Sequence, residues 1–162
     1  MGLQKELGLK NPFMHKGHET VLNIVLTGTL LAKEGNRVLQ PFSLTDAQFN
    51  VLMLLKYQTS GGRINQTNLG NMMLVNRSNI TGLIDRMEKS GLVRRISDPE
   101  DRRVNHVEIT DKGSRILARA NKVYYTRLEE IMSVLPKKEF NLLCRTLENV
   151  RQQLRTKLQT KE

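Results

Sequence analysis

The chain has 162 residues, 38% of them hydrophobic, with a formal charge of +10 and a pI near 10. That length suits one domain or two small fused halves with a packed core. The charge suits a polyanionic partner, nucleic acid before an anionic membrane surface. The longest apolar run, Val21 to Ala32, carries Asn23, Thr27 and Thr29, and falls short of the ~20 residues that a membrane span needs. A single cysteine, Cys144, excludes an internal disulfide framework and a cysteine-based zinc cage. With no signal-peptide pattern at the N-terminus, these features give the expectation of a reduced, cytoplasmic protein without a membrane partner.

The N-terminal stretch from Met14 to Leu39 reads as helix, with Val21, Ile24, Val25 and Leu31 on one face, although Gly17, Gly28 and Gly35 weaken it. Pro41 marks a break. Thr45 followed by Gln48 predicts a capping box opening a buried helix that holds Phe49, Leu52, Met53, Leu54 and Leu55. A loop from Thr59 to Arg63 leads to a short helix over about Asn65 to Met73, with Leu69, Met72 and Met73 inward. After a turn at Leu74 and Val75 comes the clearest helix, capped by Asn76 or Ser78. Its apolar side is Ile80, Leu83, Ile84 and Met87, spaced i, i+3, i+4, i+7. The opposite side holds Ser78, Gly82, Asp85 and Lys89, flanked by Asn79, Thr81 and Arg86. Gly91 stands where a left-handed terminator is wanted.

Two strands follow, about Leu92 to Ile96 and Val104 to Ile109, the second alternating Val107 and Ile109 with His106 and Glu108. Thr110 should cap a helix running to about Leu135, with Ile116, Ala120, Val123 and Ile131 as its apolar stripe. Pro136 opens a last helix with a seam of Phe140, Leu143, Leu147, Val150 and Leu154, and the basic tail beyond it is expected to fray. The fold class is mainly α with a small β-wing. A short helix, a turn, an amphipathic helix and a two-stranded hairpin in that order make a winged helix-turn-helix. Such a unit offers its second helix to the major groove of duplex DNA, with the hairpin beside it.

The segments "LTDAQFNVLMLL", "NLGNMMLVNRSNITGLIDRMEKSGLVRR" and "DPEDRRVNHVEITDKG" resemble, in this order and spacing, the signature blocks of the MarR family of transcription regulators. The likeness runs from about Leu44 to Gly113 and more loosely into the flanking helices. It implies a homodimer whose terminal helices intertwine, each protomer presenting a winged helix-turn-helix to a pseudo-palindromic operator. It also implies a regulator, most often a repressor, and many members of the family release DNA when a small phenolic or anionic effector binds. On that pattern residues 1–42 and 111–162 form the dimerisation region and 43–110 the DNA-binding domain.

The family's wing carries an acid two positions before a tip arginine that enters the minor groove. Here the pair is Asp101 and Arg103, with the carboxylate holding the guanidinium in one orientation. Asp98 with Pro99 shapes the turn and can pair with Arg102. Residues expected at bases or phosphates are Asn76, Arg77, Ser78, Asn79, Thr81, Gly82 and Arg86, with Arg102 and Arg103 on the wing. Gly82 departs from the family, which usually has a large polar residue there. Asp85 is assigned to Lys89 at i+4.

Other candidates are weaker. Cys144 beside Leu143 and Leu147 reads as a buried, inert thiol. His15 and His18 share a helical face but lack a third ligand, so neither metal nor cofactor is expected. His106 is expected to face solvent or a phosphate, and Met53, Met72, Met73 and Met87 to pack in the core. No nucleophile, base and orienting group fall together, so an enzyme is not expected. A basic RNA-binding or ribosome-associated protein is one alternative. Aromatics at 4%, with no Trp, offer little for stacking bases. A winged module used only for protein assembly is another, and it should lack the wing arginines. The charge excess does not mark the hairpin. Residues 61–113 hold 9 Lys and Arg against 7 Asp and Glu, whereas 114–162 hold 11 against 5.

Overall fold

The computed structural model describes residues 2–73, 80–97 and 105–159. A short helix α1 (Leu3–Glu6) precedes the long α2 (Lys16–Leu39), which continues through Gly17, Gly28 and Gly35 without interruption. Gly35, alone among the three glycines of α2, lies against other parts of the chain. A Cβ there would meet Asp46 and Tyr124 at 3.5 and 3.6 Å. The predicted break at Pro41 is a 3₁₀ turn, Gln40–Phe42, closed by Ser43 in the left-handed region at φ 55°.

Helix α3 (Asp46–Tyr57) begins with the expected capping box. Thr45 Oγ1 accepts from the Gln48 amide at 3.3 Å, and Gln48 Oε1 accepts from the Thr45 amide at 2.9 Å. Phe49, Leu52 and Leu55 are buried, as expected, together with Val51, whereas Met53 and Leu54 are only partly covered. The stretch read as loop contains a strand, β1 (Arg63–Asn65), which runs directly into α4 (Gln66–Met72). Asn65 caps α4 by accepting from the Thr67 amide at 2.7 Å. Of the three residues expected inward on α4, Leu69 and Met73 are buried but Met72 is 39% exposed.

Helix α5 (Ile80–Lys89) buries Leu83, Ile84 and Met87. Its end is a Schellman motif. Gly91, at φ 70°, donates to the Glu88 carbonyl at 2.9 Å, and Leu92 donates to Met87 at 2.9 Å. Strands β2 (Val93–Ser97) and β3 (Asn105–Ile109) pair antiparallel, Val93 opposite Ile109 and Arg95 opposite Val107. β1 adds to the free edge of β3, Ile64 opposite Val107, so the sheet has three strands in the order β1-β3-β2. The stretch 63–65, with Ile64 alone apolar, lacks the length and alternation that mark a strand in sequence. Its pairing energy comes from β3.

Helix α6 (Asp111–Met132) is capped by Thr110, whose hydroxyl accepts from the Gly113 amide at 3.0 Å and donates to the Gly91 carbonyl at 2.7 Å. Its buried stripe is Gly113, Leu117 and Ala120, with Tyr124 tilted against Phe49 at 4.7 Å between ring centroids. Val123, expected on that stripe, is 47% exposed, because the inward direction follows Leu117 rather than Ile116. Gly113 permits a close approach. A Cβ at that position would lie 2.2 Å from the Leu92 carbonyl oxygen.

The chain forms two compact units, Met1–Tyr124 and Tyr125–Glu162. The first contains the whole core cluster, from Leu39 through the winged elements to Ala120. The second contains the end of α6 and α7 (Lys137–Gln159). Pro136 stands just before the first helical residue of α7 rather than inside it. The helix continues through Gln159, beyond the Leu154 at which fraying was expected. No residue of α7 is buried, and Cys144, expected inside, is exposed.

Candidate nucleic-acid interface

The α4–α5–β2–β3 arrangement presents one side of α5 away from the core. Leu83, Ile84 and Met87 point inward, which leaves Thr81, Asp85, Arg86 and Lys89 exposed and Gly82 half-covered. Asn76, Arg77, Ser78 and Asn79, expected to lead this face, lie outside the described residues, as do Asp98, Asp101, Arg102 and Arg103 on the wing. Thr81 is held from α4, its Oγ1 accepting from Gln66 Nε2 at 3.1 Å.

Asp85 does not pair with Lys89. Its partner is Arg95 on β2, whose Nη2 donates to Asp85 Oδ1 at 2.6 Å. The same guanidinium donates through Nη1 to Glu88 Oε2 at 2.7 Å and through Nε to Gln66 Oε1 at 3.3 Å. The Arg95 amide also donates to Glu88 Oε1 at 2.8 Å. Burial works against the charge on Arg95. The hydrogen bonds and Coulomb attraction of Asp85 and Glu88 outweigh it, so its pKa is raised above the ordinary arginine value. The i+4 rule offered Lys89 a solvent-exposed pair worth a few tenths of a kcal/mol. A partly buried fork that meets two carboxylates at once is stronger. No role for Arg95 was legible in the sequence, because its partners lie 7, 10 and 29 positions away.

Farther along the sheet, Arg94 pairs with Glu108 across β2 and β3. His106, expected to face solvent or a phosphate, is half-buried on β3 between Asn65 and Ile96. Lys112 Nζ donates to the Ser90 carbonyl at 2.7 Å, at the end of α5. A cleft of about 150 Å³ opens between α3 and α4, lined by Asn50, Met53, Leu54, Tyr57, Gln58, Met72 and Met73. Met53 and Met72, expected as plain core, therefore border open space, beside the buried Met73. His18 packs edge-on against Phe13 at 5.8 Å. Among the described residues, no three His, Cys, Asp or Glu side chains gather around a possible cation position. Nor is any helix among them long and apolar enough to cross a membrane.

The MarR family profile matches residues 44–104, from the capping box of α3 to the hairpin. Over 113 residues the chain is 32% identical to the uncharacterised HTH-type transcriptional regulator YfiV of Bacillus subtilis, covering 65% of this chain and 69% of YfiV. Alignments to other curated relatives span from 50% to 88% of their lengths. Among solved structures, the fold is shared with Sco3205, a MarR family transcriptional regulator of Streptomyces coelicolor solved in complex with DNA. The TM-score is 0.78 at 23% identity, covering 90% of this chain and 92% of that one. It is also shared with the organohalide-sensing regulator RdhR-CbdbA1625 in its 2,4-dichlorophenol-bound form, with a TM-score of 0.79 at 19% identity, covering 90% and 87%. A winged helix fold, the profile match and the identity to YfiV agree, and the chain belongs to the MarR family of transcriptional regulators.

Proposed function

We propose that the protein is a sequence-specific regulator that binds a pseudo-palindromic duplex operator as a homodimer and represses transcription until a small phenolic or anionic effector releases it. The observation that carries this reading is α5. Its apolar side is committed to the core through Leu83, Ile84 and Met87, while Thr81, Gly82 and Arg86 stand on or beside the outward side, at the scale of a helix that fits the ~12 Å major groove. In this reading Asn76, Arg77, Ser78 and Asn79 extend that surface. Arg103, oriented by Asp101, enters the minor groove, Arg102 meets a phosphate, and Asp98 shapes the turn. Residues 43–110 bind DNA. Residues 1–42 and 111–162 dimerise.

What supports the dimer is apolar surface. Val21, Val25 and Leu30 on α2 are 55, 57 and 51% exposed, and on α7 Leu142, Leu154 and Leu158 are 62, 57 and 73% exposed. Obligate interfaces bury roughly 2,000 Å² or more and resemble a divided core. What supports an effector is the methionine-lined cleft of α3 and α4, together with the chlorophenol seen in RdhR-CbdbA1625.

The test is a gel shift at several stated salt concentrations. It compares a duplex that the protein selects from a random-sequence pool, a random duplex and an RNA of the same sequence. Preference for the selected duplex by at least about 10³ is expected. Equal binding to all three, or preference for RNA, overturns the reading.

A further inference from the structure

Helix α5 carries two acids, Asp85 and Glu88, beside two bases, Arg86 and Lys89, so by itself it brings no net charge to a polyanion. Asp85 is the sharper difficulty. Its side chain is 50% exposed, on the side of α5 that turns away from the core. A bare carboxylate there would repel phosphates, and like charges brought together across an interface are costly.

Arg95 answers both acids from the neighbouring strand. Its side chain, only 23% exposed, reaches Asp85 at 2.6 Å and Glu88 at 2.7 Å. Its Nε holds Gln66 at 3.3 Å, and Gln66 in turn holds the Thr81 hydroxyl at 3.1 Å. One guanidinium thus connects β2, α5 and α4, and it sets the hydroxyl of a residue on the outward side. A lysine could not do this, since an ammonium is a point charge without a planar fork.

We propose that Arg95 is a positioning residue for DNA binding. It masks Asp85 and Glu88 so that α5 can approach phosphates, and through Gln66 it fixes the orientation of Thr81. The inference rests on the reading of α5 as the groove-facing helix. It assigns to Arg95 no contact with DNA.

The masking role separates from a merely structural one by rescue. Arg95→Met leaves two unmasked carboxylates beside the duplex. It should weaken binding about tenfold on selected and random duplex alike. Adding Asp85→Asn should recover about threefold, because the repelling charge has gone although the bracket has not returned. Thermal melting accompanies each titration. If Arg95→Met does not fold, Arg95→Lys takes its place and should show a smaller loss with the same recovery.

Wild-type affinity in the Arg95 variant overturns the proposal. So does a loss that Asp85→Asn fails to relieve, which would leave Arg95 a bracket of the fold alone. Failure of the unaltered protein to prefer any duplex would instead overturn the DNA-binding reading itself.

Discussion

Helices α5 and α7 carry the same kind of amphipathic pattern and meet different fates. In α5 the apolar side is covered by the chain's own core, with Ile84 and Met87 fully buried. In α7 the seam is longer, yet nothing on it is buried, and Leu143 and Val150 remain 40 and 41% exposed. Periodicity therefore identifies a helix and its apolar face but does not say which chain covers that face. For α5 the partner is local: α3, α4 and the sheet. For α7 a second copy of the chain is the proposed partner.

The comparison breaks most decisively at the seam of α7. Leu147→Arg should abolish the dimer, since a charge would be buried in an apolar contact. Light scattering at micromolar concentration should then report monomers or unfolded chains. A variant with intact dimer mass removes α7 from the interface. In α5, Met87→Ala should cost about 2–5 kcal/mol through a core cavity. Urea unfolding of that variant should move by the same amount as wild-type unfolding when protein concentration is varied. A change in that concentration dependence would mean that α5 also depends on the second copy.

A smaller effect sharpens how α5 is held. Gly113 lies against the Leu92 carbonyl just beyond the end of α5. Gly113→Ala should destabilise by about 1–3 kcal/mol through overpacking, read by thermal melting. An unchanged melting temperature would show that the backbone there gives way easily. Smallest is the capping box of α3. Thr45→Ala should cost about 1 kcal/mol, and a loss near zero in denaturant unfolding would mean that water replaces the cap.

What was legible in the sequence was local. The Thr45–Gln48 box, the terminator at Gly91 and the Thr110 cap each depend on residues within a few positions, and each is present as read. The inward residues of α5 followed from a strong 3.6-residue period. What was not legible depends on distant partners. β1 exists because β3 offers an edge to Ile64 and its two polar neighbours. Asp85 prefers a guanidinium ten positions away to an ammonium four positions away. Val123 and Met72 carry apolar side chains outward because the helices that bear them turn a neighbouring stripe to the core. Cys144 lies between apolar neighbours on a seam that one chain leaves uncovered, so its surroundings read as buried while the thiol is exposed.

The central claim is that the outward side of α5 reads DNA sequence, and Arg86 tests it most directly among the described residues. Binding of the Arg86→Ala dimer to the selected and the random duplex at matched salt gives a specificity ratio for comparison with the unaltered protein. Loss of a base contact should cut that ratio by a factor equivalent to about 1–3 kcal/mol, with the melting temperature unchanged. An unaltered ratio together with unaltered affinity for both duplexes would contradict the account, and the reading surface would have to lie elsewhere on the molecule.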